Sequence, residues 1–290
     1  MIMGSLVALV TPFKDGHIDE KAMRNIIRWH IDQGTDGLVP AGTTGESATL
    51  SADEHKRVVE IATDEAAGEI LIVAGAGSNN PSEAIEFSNH ADQVGADATL
   101  HIAGYYNRPN QEGLYQHFET VHDNTDLPII VYNNPPRAIV DIVPDTMARL
   151  AQLPRVVGVK DATGDLNRPL LENMCIKKEF SYLSGEDGTA VAYNVSGGNG
   201  CISVTANVAP KLCAKMQRYC ATGDYEAAMA IQRRLMPLHV ALFAEPSPAG
   251  AKYGASLLGH CLAESRLPII ELTVAAKTAI SNAMTTIGLI

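Results

Sequence analysis

The residues of this chain best suited to covalent chemistry centre on Val156-Val157-Gly158-Val159-Lys160-Asp161-Ala162-Thr163-Gly164. A short apolar, β-branched run of this kind reads as a buried parallel strand, and this one ends on a lysine. Lysine is rarely buried unless it is paired or reactive. Burial penalises the ammonium form, and a neutral amine is a carbonyl nucleophile able to form a Schiff base. On this segment alone, a strand-end lysine that reaches solvent competes with the reactive reading. Other apolar runs also end on polar groups: Thr43 and Thr44, Tyr105 and Tyr106, Tyr132 and Arg137, and Glu186. A nucleophile, phenols fit for proton transfer and a guanidinium fit for a carboxylate form a set only if the fold brings these run ends together.

The elements that must do so can be read along the chain. Gly4 to Val10 is an apolar strand stopped by Thr11-Pro12, and Asp19 to about Gln33 is helical. Gly37–Val39 is a second strand, followed by the turn-rich Ala41–Ser47. Ser51-Ala52-Asp53-Glu54 is a capping box opening a helix to about Ala66. Strands over 70–74, 97–103, 128–132, 156–160, 181–184 and 200–204 alternate with helices over 82–94, 111–124, 144–153 and 168–177, and with one opened by 185–188. Repeated alternation of strand and helix means a parallel sheet, and eight units close into a (β/α)8 barrel. A doubly wound sheet is the runner-up, but Thr11-Pro12-Phe13-Lys14 is no nucleotide-binding turn. After about Val208 only helices follow, over 224–235, 238–243, 249–258 and 273–287. The expected organisation is therefore a barrel over 1–222 and a helical region over 223–290 packed on it. In such a barrel chemistry sits at the C-terminal ends of the strands, where all the polar residues named above fall. Val156, Gly158 and Lys160 share one strand face, and Gly158 is expected to leave room beneath the lysine.

Composition narrows the partners. The chain has 290 residues, 46% hydrophobic and 19% charged, with a net charge of −11. That balance argues against nucleic acid and anionic membranes, but not against a small anion met by local cations. Five scattered cysteines without a C-x-x-C pair read as reduced thiols of a cytoplasmic protein. The N-terminus lacks the pattern of a signal peptide, and no run is long enough to span a bilayer. Gly75-Ala76-Gly77 lacks the third glycine of a dinucleotide loop, and there is no P-loop. His117 and His122 are not at the spacing of a helical zinc pair, Ser184–Gly188 is not a nucleophile elbow, and His101 reads as a core or strand-end histidine.

The remaining motifs are AGTTGES (41–47), YYNRP (105–109), YN-x-P-x-R (132–137), GVKDATG (158–164), SGEDGTA (184–190) and GCISVTANV (200–208). In this order the sequence resembles the dihydrodipicolinate synthase (4-hydroxy-tetrahydrodipicolinate synthase) family, within the pyruvate-lyase superfamily that includes N-acetylneuraminate lyase. GTTGE and Arg137 point to the synthase branch. The resemblance implies a lyase of the lysine and diaminopimelate route that condenses pyruvate with L-aspartate 4-semialdehyde, without metal or organic cofactor. It implies Lys160 as the Schiff-base lysine, Tyr132 as acid/base, Thr44 as its hydrogen-bonded partner and Tyr106 as the end of the relay, donated by a neighbouring subunit. Thr43 and Thr44 would hold the pyruvate carboxylate and Arg137 the aldehyde substrate's carboxylate, while Gly185 and Ile202 would line the pocket. Ala138 and Ala103-Gly104 depart from the family's usual residues. A homotetramer, built as a dimer of dimers, is also implied.

The same resemblance implies an L-lysine effector site at Ser47, Ala48, Leu50, His55, Gly77, Asn79, Glu83 and Tyr105. Ala52 stands where some lysine-sensitive relatives have a histidine. Loss of one ordinary hydrogen bond is worth about 0.5–1.5 kcal/mol, up to roughly tenfold in affinity, so weakened inhibition is expected. Two other readings compete: a related pyruvate-dependent aldolase for another aldehyde, such as a sugar acid, and a non-catalytic small-molecule sensor.

Overall fold

The computed structural model describes residues 1–290. Eight parallel strands close into a barrel: β1 (Gly4–Ala8), β2 (Gly37–Val39), β3 (Leu71–Gly75), β4 (Ala98–Ile102), β5 (Ile129–Asn133), β6 (Val156–Asp161), β7 (Ser181–Ser184) and β8 (Gly200–Ser203). Each strand pairs with the next, and β8 returns to β1 through Gly4↔Gly200 to Val7↔Ser203. Inside, Leu6, Ala8, Val39, Val73, Leu100, Ile130, Leu183 and Ile202 pack with Tyr132. These are alternate residues of their strands, as a two-residue period requires. The strands therefore fill their own interior, and the polar groups are left at the C-terminal rim.

Helices α1 (Glu20–Asp32), α2 (Ala52–Ala66), α3 (Pro81–Gln93), α4 (Gln111–Asp123), α5 (Pro144–Leu150), α6 (Arg168–Cys175), α7 (Ala190–Val195) and α8 (Pro210–Ala221) surround the barrel. The expected capping box of α2 is formed: the Ser51 hydroxyl accepts from Glu54 N–H, and the Glu54 carboxylate accepts from Ser51 N–H. Helices α9 (Tyr225–Leu242), α10 (Ala249–Leu257) and α11 (Val274–Thr286) follow, with α9 packed on α8 and α7. No helix is long and apolar enough to cross a membrane.

The structure differs from the sequence expectation in four places. The helix that packs on β1 is α8, which the sequence reading passed over. Its buried face is Cys213, Ala214, Met216, Gln217 and Cys220, a stripe without Leu or Ile. The two helices expected over 224–235 and 238–243 form one, α9, because Pro237 is accommodated inside it. A two-stranded ribbon, Phe13–Lys14 with His17–Ile18, lies between β1 and α1. Gly158 serves the neighbouring strand: a Cβ there would come within 2.7 Å of Ser181 Cβ and 2.8 Å of its carbonyl oxygen.

Candidate active site

Strand β6 runs one residue past the lysine, to Asp161. Lys160 pairs laterally with Tyr132 on β5 and with Leu183 on β7. It is 6% exposed, and its Nζ lies 4.1 Å from the centroid of the Tyr132 ring. A parallel ladder sets this juxtaposition, since residues in register on adjacent strands place their side chains side by side. The next residue points to the other side of the sheet: Asp161 is buried, its Oδ1 accepts from Thr163 N–H at 2.8 Å, and burial pushes its carboxyl upward. Gly185 follows β7, where its N–H donates to Asp161 O at 2.6 Å and a Cβ would meet Ala162 Cβ at 2.9 Å. Ile202 is buried in the barrel interior. Glu186 is exposed at the same rim, and partial desolvation pushes its carboxyl up.

Thr44 is buried after β2, and the Thr11 hydroxyl holds the adjacent Gly45 carbonyl at 2.7 Å. The Tyr132 hydroxyl accepts from Asn134 Nδ2 at 2.6 Å, where the sequence reading had expected Thr44 as partner. Asn134 is the N-cap of a one-turn helix, Pro135–Ala138, and the chain turns back there toward the strand end. Nothing in the residue type marked Asn134 for this role beyond its place two residues after the tyrosine. Tyr106 is 91% exposed with φ of 64°, and it lines neither of the two cavities at the rim. Arg137 is exposed on the one-turn helix.

Two cavities adjoin the rim. A small one of about 30 Å³ is lined by Thr43, Ser47, Gly77, Leu100, Ile102 and Tyr132, among others. A larger one of about 370 Å³ shares Thr43, Ser47, Gly77 and Ile102 with it and adds Arg137 and Ala52. Seven of the eight residues expected to hold lysine (Ser47, Ala48, Leu50, His55, Gly77, Glu83 and Tyr105) line this larger cavity. Asn79 does not; its carbonyl accepts from Asn107 Nδ2 at 2.8 Å in a neighbouring groove. Phe87, which the sequence reading did not single out, also lines the cavity and stacks on His55 with 3.8 Å between ring centroids. Burial pushes the His55 imidazole down to about 4, and a backbone hydrogen bond to Gly75 opposes this.

A closed (β/α)8 barrel that buries a rim lysine against a tyrosine face defines a lyase of the class I aldolase type. The particular branch follows from comparison with known sequences: residues 1–287 match the dihydrodipicolinate synthetase family, and the chain belongs to it. The 4-hydroxy-tetrahydrodipicolinate synthase of Parvibaculum lavamentivorans is 56% identical over 290 residues, covering all of both chains. Among solved structures, the chloride-inhibited dihydrodipicolinate synthase of Acinetobacter baumannii complexed with pyruvate is 40% identical, with a TM-score of 0.97 and 100% of each chain covered. The enzyme of Cyanidioschyzon merolae with lysine bound is 34% identical, with a TM-score of 0.96 and 99% of each chain covered.

Proposed function

We propose that this chain condenses pyruvate with L-aspartate 4-semialdehyde, the 4-hydroxy-tetrahydrodipicolinate synthase reaction. The observation that carries the chemistry is the buried Lys160 amine 4.1 Å from the Tyr132 ring centroid at the barrel mouth. Lys160 Nζ adds to the ketone carbon of pyruvate, and the ketone oxygen leaves as water to give an imine. Loss of a methyl proton to a base gives the enamine, with the imine nitrogen taking the electron pair. The enamine carbon then attacks the aldehyde carbon of the second substrate. The second substrate's amine adds to the imine carbon, and the ring closes as Lys160 is released. Tyr132 moves protons in these steps. Thr44, buried at the same rim, and Tyr106 from a neighbouring subunit extend the relay, since catalytic hydrogen bonds tighten once the substrate is bound. Thr43 and Thr44 hold the pyruvate carboxylate, Arg137 the carboxylate of the aldehyde substrate, and Gly185 and Ile202 the pocket wall.

The barrel occupies 1–222 and the packed helical region 223–290. Two such chains share each Tyr106, and two dimers form the tetramer. The exposed side chains of Leu170, Leu171 and Met174, close together on α6, support a further face between copies. All five cysteines are free thiols, which supports work in the cytoplasm. The larger cavity takes L-lysine as an effector, its two ammonium groups and its carboxylate met by Glu83, His55 and Tyr105. The clustering of seven of the eight expected residues around one volume supports this reading.

Borohydride reduction in the presence of pyruvate tests the catalytic reading. One pyruvate-derived adduct per subunit on Lys160 is expected, and none in Lys160→Ala. An adduct on another lysine, or one that persists in the variant, overturns the mechanism.

A further inference from the structure

The loop that carries Thr43 and Thr44 continues through Gly45 and Glu46 into the 3₁₀ turn Ser47–Thr49. Glu46 makes this turn in the left-handed region, with φ of 60° and ψ of 35°, a conformation that a residue with a Cβ adopts only when its surroundings hold it there. Its backbone is tied on both sides: its N–H donates to Thr43 O at 3.1 Å, and its carbonyl accepts from Thr49 N–H at 3.0 Å. Its side chain is 5% exposed and turns inward. One carboxylate oxygen forms an ion pair with Lys252 Nζ, and the other accepts from Arg266 N–H at 2.9 Å.

Lys252 lies on α10 in the C-terminal region and is fully buried. Its Nζ also donates to Glu264 O at 2.7 Å and sits 4.0 Å from the centroid of Phe13. The Arg266 guanidinium lies 4.3 Å from the same ring, donates to Thr49 O at 2.9 Å and pairs with Glu54 of the α2 capping box. That pairing holds the Glu54 carboxyl down at about 2. A buried ion pair is a poor source of stability, because well-packed apolar residues of similar volume often serve as well or better. What a charged pair supplies is direction, since the carboxylate is fixed where the ammonium stands. Here the fixed residue lies between Thr44, on the catalytic side, and Ser47, which lines both cavities.

We infer that the Glu46–Lys252 pair is a positioning element that sets the threonine loop for pyruvate and also places Ser47 in the larger cavity. On this view the C-terminal helices form part of the catalytic scaffold. The inference rests on the proposed pyruvate chemistry for its kinetic reading, but its structural content concerns the loop alone. Misplacement of binding groups by about 1 Å can cost on the order of a hundredfold in rate, whereas a pair serving only stability would show its loss in the melt.

The test uses the full-length protein and the double variant Glu46→Gln/Lys252→Met, which removes both charges at similar volume. The expected result has three parts. The melt remains cooperative and within a few degrees of wild type, KM for pyruvate rises about tenfold or more while KM for the aldehyde changes less than about threefold, and the amides of residues 43–50 exchange hydrogen at least about tenfold faster. A folded double variant with wild-type pyruvate KM and wild-type exchange in this loop overturns the inference, and so does exchange that rises equally over the whole barrel. If the double variant fails to fold, Glu46→Gln, which keeps the side chain's shape, carries the same comparison. Borohydride trapping of pyruvate on wild type is run first. Absence of an adduct there removes the catalytic reading, while the exchange comparison still decides the role of the pair.

Discussion

Glu172→Gln should stabilise this protein in alkali and leave it unchanged in mild acid. Glu172 lies on α6 with 1% exposure, and its Oε2 has no hydrogen-bond partner. The one nearby cation is largely committed elsewhere. Arg168 donates to Asp141 Oδ1 at 2.8 Å and to Oδ2 at 3.2 Å, while its Nε stands 3.7 Å from Glu172 Oε1. Burial, reinforced by Asp161, therefore pushes the Glu172 carboxyl from an ordinary 4.5 to about 8. The folded protein keeps this proton up to about pH 8, whereas the unfolded chain releases it near 4.5. Across that window the folded state binds more protons, so stability falls as pH rises. At 1.36 kcal/mol for each unit, the loss is about 3 kcal/mol at pH 7 and about 5 kcal/mol above pH 8. Glutamine carries no such proton. Thermal melts at pH 5 should coincide for variant and wild type, and at pH 8 the variant should melt roughly 5–10 °C higher. A difference that is the same at every pH, or a wild type that is more stable than the variant at pH 8, would refute the reasoning.

Tyr106→Phe should lower kcat by roughly 10- to 1000-fold with an unchanged melt, because it removes only the phenol oxygen and keeps the ring; mixed with Lys160→Ala subunits it should regain activity in hybrid dimers, and no recovery after verified exchange would mean that each site is built within one chain. Lysine titrated into the assay should inhibit, Glu83→Ala should remove the effect, and Ala52→His should tighten it by up to about tenfold; equal inhibition of Glu83→Ala and wild type would exclude the larger cavity. Burial holds His30 down to about 3, His55 to about 4 and His101 to about 3. The unfolded chain takes up these protons from about pH 6.5 downward, so stability should be lost as pH falls from there toward 4; His30→Gln should flatten that limb of the melting curve, and an unchanged slope would show that His30 is protonated in the fold.

The barrel was legible because its information is local. Each strand announces itself by a short apolar run and a breaker, and parallel pairing then brings run ends to one rim without further instruction. Lys160 and Tyr132 were found in this way, and their register is what a barrel of these runs produces. The helix α8 was missed because its buried stripe is made of cysteine, alanine, methionine and a buried glutamine, Gln217, which bonds to Asn194 at 2.8 Å. These residues fall at helical spacing, but weakly apolar side chains mark a buried face less plainly than Leu or Ile would. Asn134 was missed because its task depends on the angle at which the chain leaves β5. Lys252 and Glu46 lie 206 residues apart (252 minus 46) and meet only when the C-terminal helices close on the barrel.

The distinction between local and long-range information also bears on how the two cavities communicate. Thr43, Ser47, Gly77 and Ile102 form a shared wall, with Tyr132 on one side and His55, Glu83 and Arg137 on the other. A ligand filling the larger cavity presses on the same short loop that presents Thr43 and Thr44 to pyruvate. Coupling between sites requires a segment whose position both ligands bias, and this loop is the contiguous candidate. Its carbonyls and carboxylate are held by Thr11, Lys252 and Arg266, so its freedom is small and its displacement is shared along its length. An effector there should therefore act on the binding of pyruvate in particular, and by linkage the pyruvate-bound enzyme should bind effector with an affinity changed by the same factor as the effector changes pyruvate affinity. Calorimetric titration of effector with and without pyruvate measures that factor directly, and a factor of one would sever the two cavities.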